Sequence, residues 1–186
     1  MTLTYKKPHI PDLSHVLRGI GEIASEIVEE EVESFAVAER DSFVRRIKRQ
    51  EFQSFNATPL TRLWLRRKIM ARADKRVMIA TGHYIRSIKI QRRRVGRRGR
   101  TIFVGFDSRL MPRDLDGRIV HVEGGMNKIA WVHERGSAKM KVPPRPHWEP
   151  HRLQMVERAR GVRKRIKRRI GREARSRFGA VLRRRR

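Results

Sequence analysis

Two histidines and a carboxylate lie close together in the segment His147-Trp148-Glu149-Pro150-His151. Imidazole and carboxylate groups are common zinc ligands, so this segment could bind a metal ion. The spacing is not that of the helical His-Glu-x-x-His site, and Pro150 would break the helix that such a pair needs. Zinc deaminases share the His-x-Glu pattern but also need two cysteines, and this chain has no cysteine. We therefore predict no metal site and no cofactor.

A second histidine and carboxylate pair, His133-Glu134, follows Trp131. General acid–base catalysis is chemically possible for such a pair. We favour a structural role, in which Trp131 is a buried anchor and the segment caps a sheet. The glycines are scattered and match no nucleotide-binding motif. The sequence therefore predicts a protein that is not an enzyme.

The densest charge lies between Arg92 and Arg100, where six of nine residues are arginine. Glycines within this segment would let it follow a phosphate backbone closely. A second basic segment, from Arg158 to Arg186, could fold on DNA or on an acidic protein. For any single arginine, solvation is the default interpretation. The residues predicted to contact DNA or an acidic partner are Arg92, Arg93, Arg94, Arg97, Arg98, Arg100, Arg163, Lys164, Arg165, Lys167, Arg168 and Arg169.

The whole chain is strongly basic, with 47 Lys and Arg against 19 Asp and Glu among 186 residues, a net charge of +28. Such a chain is expected to have a polyanion or acidic proteins as partners, because they offset its self-repulsion. Residues 1–60 carry 8 basic and 10 acidic side chains, whereas residues 150–186 carry 16 and 2. Head-to-tail packing of identical subunits would bring these regions together. A solvated acidic helix with an unrelated basic tail explains the asymmetry equally well.

Apolar spacing predicts that the N-terminal third is helical. Asp12 or Ser14 caps a long amphipathic helix that runs from Leu13 to about Arg49, with Ser34 as a potential break. Its apolar residues recur at helical spacing between glutamates. Turn residues interrupt the pattern from Phe52 to Pro59.

The central part is predicted to be a small antiparallel sheet with short helices. Thr61 caps a short basic helix, and Gly82 permits a turn at Thr81–Gly82. The remaining elements are strands at residues 88–91 and 102–106 joined by the basic loop 92–100, a third strand at 118–122, a helix at 128–134 ended by Gly136, and an edge strand at 140–142. The predicted fold class is therefore α+β.

The C-terminal part is predicted to be a basic helix. It follows a proline-rich turn, begins near Pro150 and runs to about Ala174. The chain thus divides into an arm with an acidic helix (1–59), an α+β core (60–155) and a basic helix or tail (156–186). No apolar run is long enough for a membrane span or a signal peptide, so we expect a soluble protein without a membrane partner.

Three short motifs within residues 60–155 resemble those of a family of tailed-phage proteins. The segment Thr81-Gly82-His83-Tyr84-Ile85-Arg86-Ser87-Ile88 is similar to the Thr-Gly-x-Leu-x-x-Ser-Ile signature of tail-completion and virion-morphogenesis proteins. Residues Ala130 to Ser137 resemble the family's Tyr-Ala-x-x-x-Glu-x-Gly-Thr, and Pro143 to Trp148 resemble its Pro-x-Arg-Pro-Phe. The three motifs also occur in the family's order.

This resemblance implies a small α+β virion subunit, without catalysis, that assembles in the host cytoplasm into a ring, with a hexamer favoured. The ring would close the tail or join it to the head connector, so the implied partners are tail-tube proteins, head-connector proteins and genomic DNA. Arg145, held among prolines, would make bidentate contacts to a carboxylate of the neighbour or of the core. The residues predicted to form subunit or partner contacts are Tyr84, Arg86, Trp131, Glu134, Arg145 and Trp148.

Two other functions fit part of the sequence. A basic RNA-binding or ribosome-binding protein would explain the net charge, but it leaves the acidic first helix unexplained and offers few aromatic residues for base stacking. A nuclease would need clustered carboxylates to hold magnesium near the basic loop. Asp107, Asp114 and Asp116 are close in sequence, but their context is typical of a solvated loop.

Overall fold

The computed structural model describes residues 14–78, 82–95, 99–139 and 141–183, and it confirms the α+β class. In chain order the elements are α1 (Ser14–Lys48), α2 (Gln53–Ala57), α3 (Arg62–Met70), α4 (His83–Arg86), β1 (Ile88–Val95), β2 (Gly99–Phe106), α5 (Gly125–Arg135) and α6 (Trp148–Arg183). They form two compact units, Val32–Gly161 and Met1–Glu31 with Val162–Arg186. The division falls inside α1 and α6, whereas the predicted boundaries followed residues 59 and 155.

Helix α1 is continuous, so the break considered near Ser34 does not occur. In the larger unit, Ala36, Phe43 and Ile47 of this helix are buried. Their spacing places them on one helical face, and the packing of this face stabilises the helix beyond its intrinsic propensity. Ser34 is exposed, so water can satisfy its hydroxyl. Asp12, one of the two predicted caps, lies outside the described residues.

The core of the larger unit is centred on Phe43, which is fully buried. Its ring lies 5.9 Å from the ring of Phe52 and 4.7 Å from that of His151. The predicted turn from Phe52 to Pro59 contains the short helix α2, because a helical turn carries both Phe52 and Phe55 into the core. The buried cluster comprises Phe43, Ile47, Phe52, Phe55, Val77, Tyr84, Ile88, Met126 and Ala130.

Two local signals predicted from the sequence are confirmed. The side-chain oxygen of Thr61 accepts a hydrogen bond from the backbone N–H of Trp64 at 3.4 Å and caps α3. Gly82 has a φ of 70° immediately before α4, a conformation that glycine adopts without steric cost. The turn therefore forms at Gly82, and Thr81 lies outside the described residues.

Strands β1 and β2 form a two-stranded antiparallel hairpin that pairs Ile88 with Phe106 and Val95 with Gly99. The predicted basic loop from Arg92 to Arg100 is wrong in extent. Arg92, Arg93, Arg94 and Arg100 belong to the paired strands, and Arg97 and Arg98 lie outside the described residues. Ladder hydrogen bonds use only the backbone, so a run of arginines can continue a strand.

The two further strands predicted after the hairpin do not form. Residues 118–122 contribute one isolated bridge, between Arg113 and Ile119, and Ile119 is exposed. Residues 140–142 contribute one bridge, between Ser137 and Val142, and Met140 lies outside the described residues. An alternating pattern is stabilised as a strand only when one face is buried, and Ile119 has no such cover.

Helix α5 begins at Gly125, three residues earlier than predicted, and ends at Gly136 as predicted. A Cβ atom on Gly125 would lie 2.3 Å from the carbonyl oxygen of Ser108, so only glycine allows this close approach. Helix α6 begins at Trp148 and runs to Arg183, past the predicted end at Ala174. Pro150 stands in its first turn, where the missing N–H is tolerated.

The smaller unit contains an antiparallel pair formed by the first part of α1 and the last part of α6. Phe178 packs against Gly19, where an added Cβ would lie 2.6 Å from the Phe178 ring, and Glu31 lies at the other end beside Arg169. On α6, Val162, Ile166, Ile170, Ala174 and Phe178 recur every four residues. Such a row packs well against a second helix, and Val162 is accordingly buried.

Candidate functional site

The three motif segments meet in one buried junction in the larger unit. Glu134, at the end of α5, accepts hydrogen bonds from three backbone N–H groups at the start of α6, those of His147, Trp148 and Glu149, at 3.0, 2.9 and 3.0 Å. A carboxylate at this position satisfies donors that the helix cannot satisfy itself and complements the helix dipole. Glu134 therefore caps α6 from a distant part of the sequence.

His147 connects this cap to the first motif. Its Nδ1 lies 2.7 Å from the carbonyl oxygen of Arg145, and its Nε2 is hydrogen-bonded to the hydroxyl of Tyr84. A carbonyl can only accept, so Nδ1 carries the proton and Nε2 accepts from Tyr84. Burial lowers the pKa of His147, in agreement with a neutral ring, and burial beside Glu134 raises the pKa of Tyr84. Tyr84 and His147 are thus a neutral hydrogen-bonded pair within the core, next to the carboxylate that caps α6.

Among the described residues Arg145 contacts no carboxylate, so the predicted contact is not made within the core, and contact with a carboxylate of a neighbour stays a prediction. Arg145 is buried, and its guanidinium donates to the carbonyl oxygens of Thr58 and Pro59 at 2.8 and 3.3 Å. The Glu134 carboxylate instead accepts hydrogen bonds from the start of α6. Tyr84 is also buried. Both side chains therefore support the fold, and their contact with a neighbouring subunit stays a prediction.

The other predicted contact residues differ in exposure. Trp131 is 49% exposed, so it is not the buried anchor expected from the sequence, because Ala130 and Val132 supply the buried positions of α5. Lys128 and Arg135 place their cations over its ring at 5.0 and 5.2 Å. Trp148 packs against the core, with its ring 5.1 Å from that of Phe43. Arg86 is exposed.

A second buried polar group was not predicted from the sequence. Glu39 of α1 is almost fully buried and accepts two hydrogen bonds from Arg158, at 2.7 and 2.6 Å. His151 lies 3.5 Å from Glu39, but burial lowers its pKa to about 4, so the ring is neutral and this contact is not an ion pair at neutral pH. The signal that was missed is a glutamate on the apolar face of α1, four residues before Phe43.

The basic hairpin is described only in part. The guanidinium of Arg92 forms an ion pair with Glu33 of α1. The backbone of Arg93, Arg94 and Arg100 lies in the strands, and Arg97 and Arg98 lie outside the described residues. Contact of this hairpin with DNA or with an acidic partner stays a prediction.

Within the smaller unit, some basic side chains of α6 form ion pairs with α1 and others do not. Arg165 lies 3.5 Å from Glu31, and Arg169 contacts both Glu30 and Glu31 at 2.6 and 3.2 Å. Other basic side chains are exposed and make no ion pair with any described residue: Arg163, Lys164, Lys167, Arg168, Arg172 and Arg175.

We call these six residues the basic row. Lys164, Arg168 and Arg172 recur every four residues and therefore follow one line along the helix. Arg168, Arg172 and Arg175 line a surface groove with the two paired arginines and a single carboxylate, that of Glu31. Cations without an acidic partner among the described residues can neutralise phosphates of a nucleic acid or carboxylates of another protein.

Helix α3 presents an apolar surface that the sequence did not reveal as exposed. Leu63, Trp64 and Met70 are 61, 48 and 78% exposed, and Leu65 and Ile69 are exposed as well. A cluster of large apolar side chains that stay in contact with water is typical of protein interaction surfaces. This is the surface expected of a subunit that packs against another protein.

The carboxylates considered for a nuclease serve local structure. Asp107 forms an ion pair with Lys89 at 2.7 Å, and the hydrogen bond from Lys89 lowers the pKa of Asp107. Asp114 accepts hydrogen bonds from the backbone N–H groups of Asp116 and Arg118. The described part of the chain contains no group of three potential metal ligands.

The chain matches no known protein family, no curated protein and no solved structure. Among the helices in the described ranges, none is both long and apolar enough to cross a membrane.

Proposed function

We propose that the protein is a structural subunit of a tailed-phage virion, acting as a tail-completion, terminator or neck protein in a ring at the head–tail junction. A hexamer is the favoured assembly, and tail-tube proteins, head-connector proteins and genomic DNA are the partners. The observation that carries the proposal is the junction of the three motifs. Segments that resemble one family and lie far apart in sequence meet through Glu134, His147 and Tyr84.

The exposed surfaces support the same role. The exposed apolar side chains of α3 are suited to contact with another protein, and the basic row of α6 is suited to contact with DNA or with an acidic neighbour. The polar groups of the motif junction are buried and bonded to one another or to the backbone, so their role is structural. None of this chemistry requires a substrate.

A basic RNA-binding protein is the second candidate. The observation that favours it is Trp131, an exposed indole with two cations beside its ring, because aromatic rings next to cations stack on unpaired bases. This candidate predicts a monomer that prefers single-stranded RNA, whereas the virion role predicts a ring.

Native mass spectrometry with and without duplex DNA separates the two. We expect a closed ring at six times the monomer mass, formed alone or with tail-tube protein. A persistent monomer that binds single-stranded RNA more tightly than duplex DNA would replace the virion role with the RNA-binding one.

The basic row is tested with the triple variant Lys164→Ser, Arg168→Ser and Arg172→Ser. We expect weaker duplex binding and a plot of log affinity against log salt that is less steep by about 2–3, since each lost phosphate contact removes about 0.9. The matched control removes the same charge at exposed positions of the larger unit, with Arg45→Ser, Lys48→Ser and Lys75→Ser. An equal loss in both triple variants would show that only net charge matters.

A further inference from the structure

The larger unit contains a cavity of about 280 Å³ between α3 and α5. Its walls include the apolar side chains of Trp64, Val77, Met126, Ile129 and Val142. Pockets for small-molecule ligands usually enclose roughly 300–1,000 Å³. This cavity lies just below that range, so its size suits one large side chain better than a cofactor.

Two histidines give the cavity polar positions. His83 and His133 both line it, and the Nδ1 atom of each is buried without a hydrogen-bond partner among the described residues. Burial lowers the pKa of both rings, that of His133 to about 4, so both are neutral at physiological pH. Buried polar atoms normally have partners, so two unpaired ones beside one cavity indicate an occupant with a polar group.

The backbone around the cavity is strained. Met78 and Lys141 have φ values of 63° and 51°, and both line the cavity. Residues with a side chain rarely adopt this conformation, and such strain is concentrated at binding sites. The described ranges contain four non-glycine residues with positive φ, and two of them therefore lie at this one cavity.

The charge of the cavity lining indicates the sign of the occupant. Lys68, Arg113, Lys141 and Arg145 line it, and none of its described lining residues carries a carboxylate. Arg145 donates to a backbone carbonyl oxygen. Lys68 does the same, and the nearby carboxylate of Asp74 lies outside the lining. An occupant with negative charge is therefore favoured. In a second copy of this chain, the acidic side chains of Glu30, Glu31, Glu33 and Glu39 already form ion pairs with arginines of their own chain, so a different protein fits better.

We infer that this cavity binds a tryptophan side chain, which is large and apolar apart from its indole N–H, carried by an acidic segment of a different protein. The inference rests on the proposed function in taking the partner to be an acidic neighbour in the assembly. Trp64, which lines the cavity and is also exposed on α3, connects the cavity to the apolar surface of that helix. The partner segment would therefore lie along α3 and insert one side chain.

The test measures binding of fluorescent peptides to the full chain at low salt. The probe has one tryptophan between two glutamates on each side, and the reference peptide has alanine in place of tryptophan. We expect the tryptophan peptide to bind at least about tenfold more tightly, because only it fills the apolar cavity. Equal binding of both peptides would show that charge alone attracts them and would overturn the inference.

Two variants locate the site. Val142→Trp fills the cavity and should abolish the preference for the tryptophan peptide. Lys141→Asn removes one charge of the lining while keeping a residue that tolerates positive φ, and it should weaken binding about threefold. The matched control is Lys139→Asn, an exposed position outside the lining, which should bind as the parent does. Circular dichroism verifies that Val142→Trp folds. If Val142→Trp does not fold, the comparison of Lys141→Asn with Lys139→Asn still tests the site.

Two further results keep this inference distinct from the proposed function. The triple variant of the basic row should keep the affinity ratio of the two peptides, and Val142→Trp should keep duplex binding. Equal binding of the two peptides by the parent chain, with duplex binding intact, would refute the cavity site and leave the virion role intact. Self-association that Val142→Trp abolishes would show that a second copy occupies the cavity, which would also overturn the inference.

Discussion

At the scale of single residues, buried polar groups of this protein are used to hold segments together. Glu134 binds the start of α6, and Glu39 binds Arg158. The histidines beside them are neutral, because burial lowers the pKa of His133 and of His151 to about 4. Protonation of either ring in the folded protein would bury a positive charge, near Arg145 and Lys68 for His133. For His151 the burial outweighs the attraction of Glu39. Acid should therefore favour the unfolded chain.

We predict that the free energy of unfolding decreases as the pH falls below about 6.5, the ordinary pKa of histidine. The unfolded chain then binds protons that the folded chain does not, until the pH approaches the folded pKa of about 4. Stability is therefore fully present above about 6.5, and each of the two histidines contributes a slope of about 1.4 kcal/mol per pH unit below it. Urea unfolding at about pH 7.5, 6 and 5 measures this slope.

The variant His151→Gln assigns part of the effect. Its slope should be smaller by about 1.4 kcal/mol per pH unit, whatever its stability at neutral pH. His121→Gln changes an exposed histidine and serves as the control for the substitution itself. An unchanged slope in His151→Gln would show that other groups, such as the carboxylates, cause the acid sensitivity.

At the scale of elements, α6 begins where α5 provides its cap. We predict that Glu134→Ala destabilises the protein by about 3 kcal/mol, because three backbone donors lose a charged acceptor that is mostly buried. Glu149→Ala removes a carboxylate from the same helix start, but this one forms only an exposed pair with Arg152, so we expect a clearly smaller loss. Thermal or urea unfolding compares the two, and equal losses would refute the cap.

The elements that could be predicted from the sequence are those with local signals. Thr61, Gly82 and Gly136 start or end helices through their own chemistry, and the structure confirms all three. Helix α2 forms because its aromatic residues reach the core, and the strand predicted at residues 118–122 fails because nothing covers it. These outcomes depend on contacts distant in sequence, so periodicity alone could not give them.

Several residues of the candidate site were identified from the sequence, but their partners and their exposure were not, because these depend on contacts distant in sequence. Glu134 and Arg145 were chosen from motifs, but their partners are backbone groups 13 or more positions away, which no spacing reveals. Trp131 was expected to be buried because tryptophan usually is, yet the neighbouring positions on α5 face the core. The basic residues were identified by composition. Only the structure, through the ion pairs with Glu30 and Glu31, shows which of them are paired within the described chain.

At the scale of the whole molecule, the excess of positive charge opposes folding. The net charge of +28 is compensated only in places, for example where Glu30 and Glu31 meet arginines of α6. Exposed ion pairs of this kind stabilise a protein by about 0–1 kcal/mol, so they do not offset the repulsion among the remaining cations. A polyanion that binds only the folded chain would relieve that repulsion and add its own binding free energy.

We therefore predict that the thermal midpoint of unfolding is higher at about 0.5 M than at about 0.02 M sodium chloride, because salt screens repulsion over distances near the Debye length. The triple variant of the basic row should be more stable than the parent at low salt and should gain less from added salt. Differential scanning fluorimetry of both proteins over a salt series measures this. A midpoint that falls with added salt in the parent would contradict this prediction. It would mean that the ion pairs between α1 and α6 stabilise the protein more than repulsion among its cations destabilises it, so that the basic row would not need an anionic partner to offset its charge.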